Sequence, residues 1–193
     1  MAREDYSKEL TTAIQDADTL FSGSKSASPI MKFIASAESD YGNYDPNTAM
    51  SYSPFQIDPI RYYDIAQNPE RVNQPRIDKA NEFLRGKFDN PDFDISKLAT
   101  YNPETKGYDD VNLDMMRNPH VGAMLTRMAL MQDPGELPSG EQGLADYYES
   151  FWKPKWSEGP DTLKAQKKQQ AIDKYNLYNT VDNVVTEQGS EVF

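Results

Sequence analysis

Glu38 is the residue in this chain best placed to do chemistry. It stands in Ala37–Glu38–Ser39, at the end of a helix-patterned segment and ahead of a loop dense in turn formers from Gly42 to Pro59. Ser28 supplies an N-cap type and Pro29 the first helical position, where a missing N–H costs nothing. Ile30, Phe33, Ile34 and Ala37 then form an apolar stripe. Glu38 follows Ala37 by roughly 100° of helix rotation, which puts it on the border of that stripe. A carboxyl on such a border lies against apolar groups, and desolvation raises its pKa toward what a general acid needs. The competing reading is an ordinary solvated glutamate.

Other catalytic chemistries find little support. The chain lacks GxGxxG, Walker, GxSxG and HExxH patterns. It has one histidine, His120, and no cysteine, so neither a thiolate zinc site nor a disulfide is expected, and a lone histidine defines no metal site. His120 reads as a surface residue or a local hydrogen-bonding group. No cofactor is expected. The formal charge of −11 argues against general nucleic-acid binding, which needs clustered Lys and Arg to neutralise phosphates. A polysaccharide is compatible with it. The start, MAREDYSKELTTAIQDADTLF, lacks the basic end and apolar run of a secretory signal. No window reads as a membrane span.

The elements that must position Glu38 follow from periodicity. At 193 residues the chain fits one domain, or one domain with tails, and its 12 Tyr and 8 Phe can supply core area to an otherwise polar sequence. Tyr6, Leu10, Ile14 and Ala17 predict a first helix over 3–21, with Glu9, Asp16 and Asp18 facing water. The loop after Glu38 leaves room for a short β ribbon at Ala49–Tyr52 and Phe55–Ile57. Helix resumes over Ile60–Ala66 and over Gln74–Leu84, where Ile77, Ala80, Asn81 and Leu84 set the spacing. Residues 86–112 show no period and read as a functional or mobile loop.

Asn118 caps a further helix with Pro119 first and Val121, Met124, Leu125, Met128 and Met131 on its stripe, a core face by preference over an adaptable groove. Ser139 and Gln142 read as a capping box, opening a helix with Leu144, Tyr147, Tyr148, Phe151 and Trp152 on one face. A polar helix from Asp161 to about Asn179 carries Leu163, Ile172, Tyr175 and Tyr178 as a thin apolar edge. Its lysines 164, 167, 168 and 174 read as a solvated face, and the last residues as a docking segment or loose tail.

Several of these stretches resemble the lytic transglycosylase and goose-type lysozyme family in chain order. Ala37–Glu38–Ser39 with Tyr41–Gly42 resembles its catalytic glutamate-serine motif. Ser53–Pro54–Phe55–Gln56–Ile57–Asp58 is similar to its Gly-Leu-Met-Gln motif, with Gln56 at the glutamine, Ser53 at the glycine and Phe55 at the methionine. Asn118–Pro119–His120–Val121–Gly122 resembles its Asn-x-x-x-Gly helix start. Ala145–Asp146–Tyr147 matches its Ala-Tyr-Asn more weakly, without the asparagine, and Tyr147 or Tyr148 could stand for the family's tyrosine near the acid. The segment Tyr147–Trp156 also resembles lysozyme-like proteins carried in short-tailed bacteriophage particles.

The resemblance implies a mainly α, lysozyme-like (α+β) domain with a small irregular or β-ribbon region. It divides the chain into an N-terminal helix and linker (1–27), a lysozyme-like domain (28–160) and a C-terminal helix and tail (161–193). It implies a peptidoglycan lytic transglycosylase, with glycan strands as substrate and other virion proteins as further partners, located in the virion and acting at the host cell wall. Glu38 would be the sole catalytic acid, with Ser39, Gln56 and Tyr147 or Tyr148 orienting substrate. A hydrolytic variant would need Asp45 or Asp58 to hold a water; Asp58, before Pro59, reads rather as a turn residue. The alternative to an enzyme is a lysozyme-like structural or plug protein of a phage particle.

Overall fold

A computed structural model of the chain describes residues 3–22, 26–39, 53–105, 107–133, 135–153 and 160–188. The helices are α1 (Arg3–Leu20), α2 (Ser28–Ser39), α3 (Pro59–Ala66), α4 (Gln74–Phe88), α5 (Leu113–Arg117), α6 (Pro119–Leu130), α7 (Gly140–Tyr147) and α8 (Asp161–Gln188). A two-stranded antiparallel ribbon, β1 (Thr100–Asn102) and β2 (Gly107–Asp109), lies between α4 and α5 and pairs Tyr101 with Tyr108. The fold is therefore mainly α, as its apolar spacing predicts. No helix among the described residues is long and apolar enough to cross a membrane.

Helix α6 is the axis. All twelve of its residues are buried, so neighbours cover it on every side: α1, α2, α3, α4 and α5 all touch it. The methionines of its stripe are core, not groove. Asn118 caps it as expected, its side-chain oxygen accepting from the His120 N–H at 2.9 Å. Helix α1 runs along α6 through Leu10, Ala13, Ile14 and Ala17, and α8 runs along α2 through Ala171, Ile172 and Tyr175.

Long-range packing changes several local expectations. The start of α2 is held by Asp18 of α1, whose carboxylate accepts from the Ala27 and Ser28 N–H groups (2.8 and 3.3 Å) and from the Ser28 hydroxyl (2.9 Å). Ser28 is thus a helical residue and a donor, not the cap. Asp18 does not face water as expected; it also lies 3.4 Å from the Arg127 guanidinium. His120 is not a surface residue. It is buried, with Nε2 3.4 Å from Asp16 and Nδ1 3.8 Å from Glu9, and burial lowers its pKa.

Further expectations move. Phe55–Ile57 forms a turn and coil, not a strand, and the ribbon falls instead within 86–112. The middle of that stretch packs on the core: Phe93, Ile95, Leu98 and Ala99 are buried, and the Tyr62 hydroxyl donates to the Ile95 carbonyl at 2.9 Å. Asp94 caps a 3₁₀ turn at Ile95–Lys97; burial alone would raise its carboxyl, but hydrogen bonds from Ser96, Lys97 and Asn81 bring it down to about 2. The Ser139 side chain makes no cap bond, and Gln142 donates to Asp146 at 2.8 Å instead of closing a capping box. Helix α8 continues past Asn179 to Gln188, and Leu163 on its apolar edge is exposed. Lys168 is engaged by Asp146 (2.9 Å) and Glu149 (2.5 Å), and Lys164 by Asp161 (3.4 Å). Tyr41, Gly42, Asp45, Ala49–Tyr52 and Trp156 lie outside the described residues, as does the Tyr6 side chain.

Candidate active site

Glu38 sits in the last turn of α2, and its side chain is only 4% exposed. The helix stripe below it, Ile30, Met31, Phe33, Ile34 and Ala35, is buried against the core, so the carboxyl is carried inward with it. The border position predicted from rotation is therefore on the inner side of that border. Oε1 accepts a hydrogen bond from the Tyr148 hydroxyl at 2.9 Å, and Oε2 lies 3.1 Å from Lys153 Nζ. Burial raises the Glu38 pKa; the Lys153 charge and hydrogen bond, the Tyr148 hydrogen bond and the more distant Arg61 charge pull the other way without cancelling it. The result is a carboxyl that holds its proton to higher pH than an exposed one.

The Glu38 backbone is gripped as well. Its carbonyl, at a helix end where carbonyls lack intrahelical partners, accepts from the Gln56 side-chain amide. Gln56 has φ 47°, in the left-handed region that side chains rarely occupy, and closes a turn by donating its N–H to the Ser53 carbonyl at 2.8 Å. A strained residue at such a spot is held there by its surroundings. Here the surroundings are the fully buried Phe55 and the close approach of α6. A Cβ added at Gly122 would stand 3.0 Å from Ser53 Cβ and 3.1 Å from Phe55 Cδ2. Glycine at 122 is what allows the 53–56 turn to lie on α6 and so to present Gln56 to Glu38.

That close approach carries a prediction. Gly122→Ala should cost about 1–3 kcal/mol, as overpacking does when the nearest atom is next to backbone and cannot rotate away. Adding Ser53→Gly to Gly122→Ala should recover part of the loss, because it removes the nearer of the two contacts. Urea unfolding of the single and double variants measures both.

Tyr148 reaches Glu38 from the other side of the sequence. After α7 the chain makes a π-helical turn, Tyr148–Trp152, closed by the Lys153 N–H donating to the Tyr148 carbonyl at 2.8 Å. The wider turn sets both Tyr148 and Lys153 on Glu38. Tyr148 is buried against the Phe33 ring (5.6 Å between centroids), and burial together with the Glu38 charge pushes its pKa up, so it stays a proton donor. Of the two tyrosines, Tyr148 is the one on the carboxyl. Tyr147 packs against Phe151 instead. Ser39 is buried, its hydroxyl donating to the Ala35 carbonyl at 2.9 Å. Asp58 is the N-cap of α3, accepting from the Arg61 N–H at 2.8 Å.

Two residues here were not singled out from the sequence. Lys153 stands one position beyond the aromatic helix face, and a 3.6-residue period cannot place a residue that a π turn rotates. Arg61 lies over the Trp152 ring at 3.9 Å and donates to the Phe151 and Trp152 carbonyls (3.2 and 3.3 Å), which ties α3 to the end of the π turn. Burial lowers the Arg61 pKa, against the charges of Asp58 and Glu38. π turns recur at functional sites, and this one carries both side chains that meet the carboxylate.

Chemically, the arrangement offers one buried carboxyl able to give and retake a proton, with a hydroxyl donor and an ammonium on its two oxygens. No group of three or more metal-ligating side chains occurs among the described residues. A scan against protein-family models finds none that matches the chain, and searches of the curated proteins and of the solved structures find no match.

Proposed function

We propose that the chain is a peptidoglycan lytic transglycosylase of lysozyme-like fold, with Glu38 as its single acid and base, carried in a phage particle to open the host cell wall during genome entry. The observation that carries this reading is convergence. The segments at 37–39, 53–58, 118–122 and 147–148, which resemble the family's motifs, come together around one residue: Gly122 seats the turn, the turn presents Gln56, Gln56 holds the Glu38 backbone carbonyl and Tyr148 its carboxyl.

In this reading protonated Glu38 gives its proton to the oxygen bridging N-acetylmuramic acid and N-acetylglucosamine. The bond from the muramic C1 to that oxygen breaks, leaving an oxocarbenium-like centre. Glu38, now a carboxylate, takes the proton of the same sugar's 6-hydroxyl, and that oxygen closes on C1. The product is a 1,6-anhydro sugar, no water is consumed, and Glu38 ends protonated, ready for another turn. Incubation with purified sacculi and mass spectrometry of the released fragments tests this. Anhydro ends are expected; ends heavier by one water would make the enzyme a hydrolase.

One observation favours a second reading, a structural plug of the same fold. Both Glu38 oxygens are already engaged within the chain and the side chain is 4% exposed. Absence of any fragment release from intact sacculi would decide for it.

A further inference from the structure

The geometry points to Lys153 as a positioning residue that acts through Glu38, its ammonium stabilising the carboxylate left when the acid gives up its proton. This rests on the reaction proposed above. The proposed mechanism places two opposed demands on Glu38: it must be an acid in the first half and a desolvated anion in the second. Burial serves only the first half. A bare carboxylate in a site this dry is costly, and the Tyr148 hydroxyl answers for Oε1 alone. Oε2 is answered by Lys153 Nζ at 3.1 Å, an ion pair between opposite charges.

The backbone that carries the ammonium is held there by construction. The Lys153 N–H closes the π turn on Tyr148, the same residue that supplies the hydroxyl, so one backbone bond sets the main-chain positions from which both side chains reach Glu38. Arg61 then secures the two preceding carbonyls and stacks on Trp152. The groups acting on Glu38 are therefore Tyr148 and Lys153 from the π turn and, further off, the Arg61 charge from α3. The Lys153 side chain is 34% exposed against 4% for Glu38, so it forms the outer edge of the site.

The test separates this assignment from the reaction itself. Carboxyl-labelled glutamate, with the Glu38 resonance identified by its loss in Glu38→Gln, gives the titration of Glu38 by NMR whether or not the protein cleaves anything. In Lys153→Met the Glu38 midpoint should move upward from wild type, and in Lys153→Arg it should stay near wild type. Fragment release from sacculi by Lys153→Met should fall roughly 10-fold, the loss of about 1.4 kcal/mol of stabilisation of the carboxylate that the second half needs, with the high-pH limb of its profile moving upward too. Should Lys153→Met fail to fold, Lys153→Gln removes the same charge and is read in the same way. An unchanged Glu38 midpoint in the charge-removed variant overturns the proposal. A lower melting temperature with an unchanged midpoint does so as well, since it shows a merely structural lysine. If wild type releases no fragments, the reaction is lost and the titration alone decides whether Lys153 governs Glu38.

Discussion

Glu38→Gln should abolish fragment release from sacculi, a loss of at least about 10³-fold, while changing the melting temperature little. The first half follows from the chemistry: an amide of the same shape neither gives a proton to a leaving oxygen nor takes one from a hydroxyl, and general acid–base assistance is worth about 10²–10⁴-fold for each role. Here one group fills both. The second half follows from the site. The carboxyl is 4% exposed and burial penalises its charged form, so a neutral isostere removes a desolvation cost along with the ion pair. Gln at 38 can still accept from Tyr148, and Lys153, already 34% exposed, can turn to water. Gel clearing and a thermal melt on the same preparation check both halves. Equal clearing by the variant would remove Glu38 from the mechanism; a collapse in stability with it would make Glu38 a structural group first.

How far this site could be read from sequence depended on whether a signal was local. The helical spacing of Ile30, Phe33 and Ile34, of Ile77, Ala80 and Leu84, and of Val121, Met124 and Leu125 placed three helices in which those residues are buried. Asn118 was legible as a cap because the bond it makes is to its own helix, two residues on. Ser28 was misread as one because the α2 start is satisfied from Asp18, ten residues back on another helix, and nothing in the local pattern announces that. His120 fails in the same way: its surroundings, Glu9 and Asp16, come from the first helix of the chain. At the site, motif order pointed to Glu38, Gln56 and the Tyr147–Tyr148 pair. The choice between the tyrosines, and the presence of Lys153, depended on a π turn whose wider hydrogen-bonded ring no apolar stripe encodes.

Asp18→Ala should be damaging although it lies outside the site and outside the apolar core, at about 3 kcal/mol, because it removes two structural roles at once. One is the cap on α2, where loss of a side-chain acceptor costs about 1 kcal/mol. The other is the charge beside Arg127, whose side chain is 6% exposed and would be left a buried cation with the Phe21 carbonyl at 2.9 Å. For a chain of this length the loss corresponds to a fall of roughly 6–12 °C in melting temperature. Asp18→Asn, which keeps an acceptor for the cap and gives up the charge, should lose less. Acid supplies an independent check. Burial alone would raise the Asp18 carboxyl, but hydrogen bonds from Ser26, Ala27 and Ser28 and the Arg127 charge hold its pKa below the ordinary 3.8. A carboxyl depressed in the folded state contributes stability that is complete above its unfolded pKa and is lost as pH falls through the folded one. The gap between wild type and Asp18→Ala in urea unfolding should therefore be full at neutral pH and narrow only below 3.8. A gap that stayed constant into strong acid would mean that Asp18 acts through packing and not through its charge. Because α2 is the helix that carries Glu38, the same variant links the two ends of the argument: a frayed α2 start should cost fragment release as well as stability, even though Asp18 lies a full helix length from the carboxyl it helps to place.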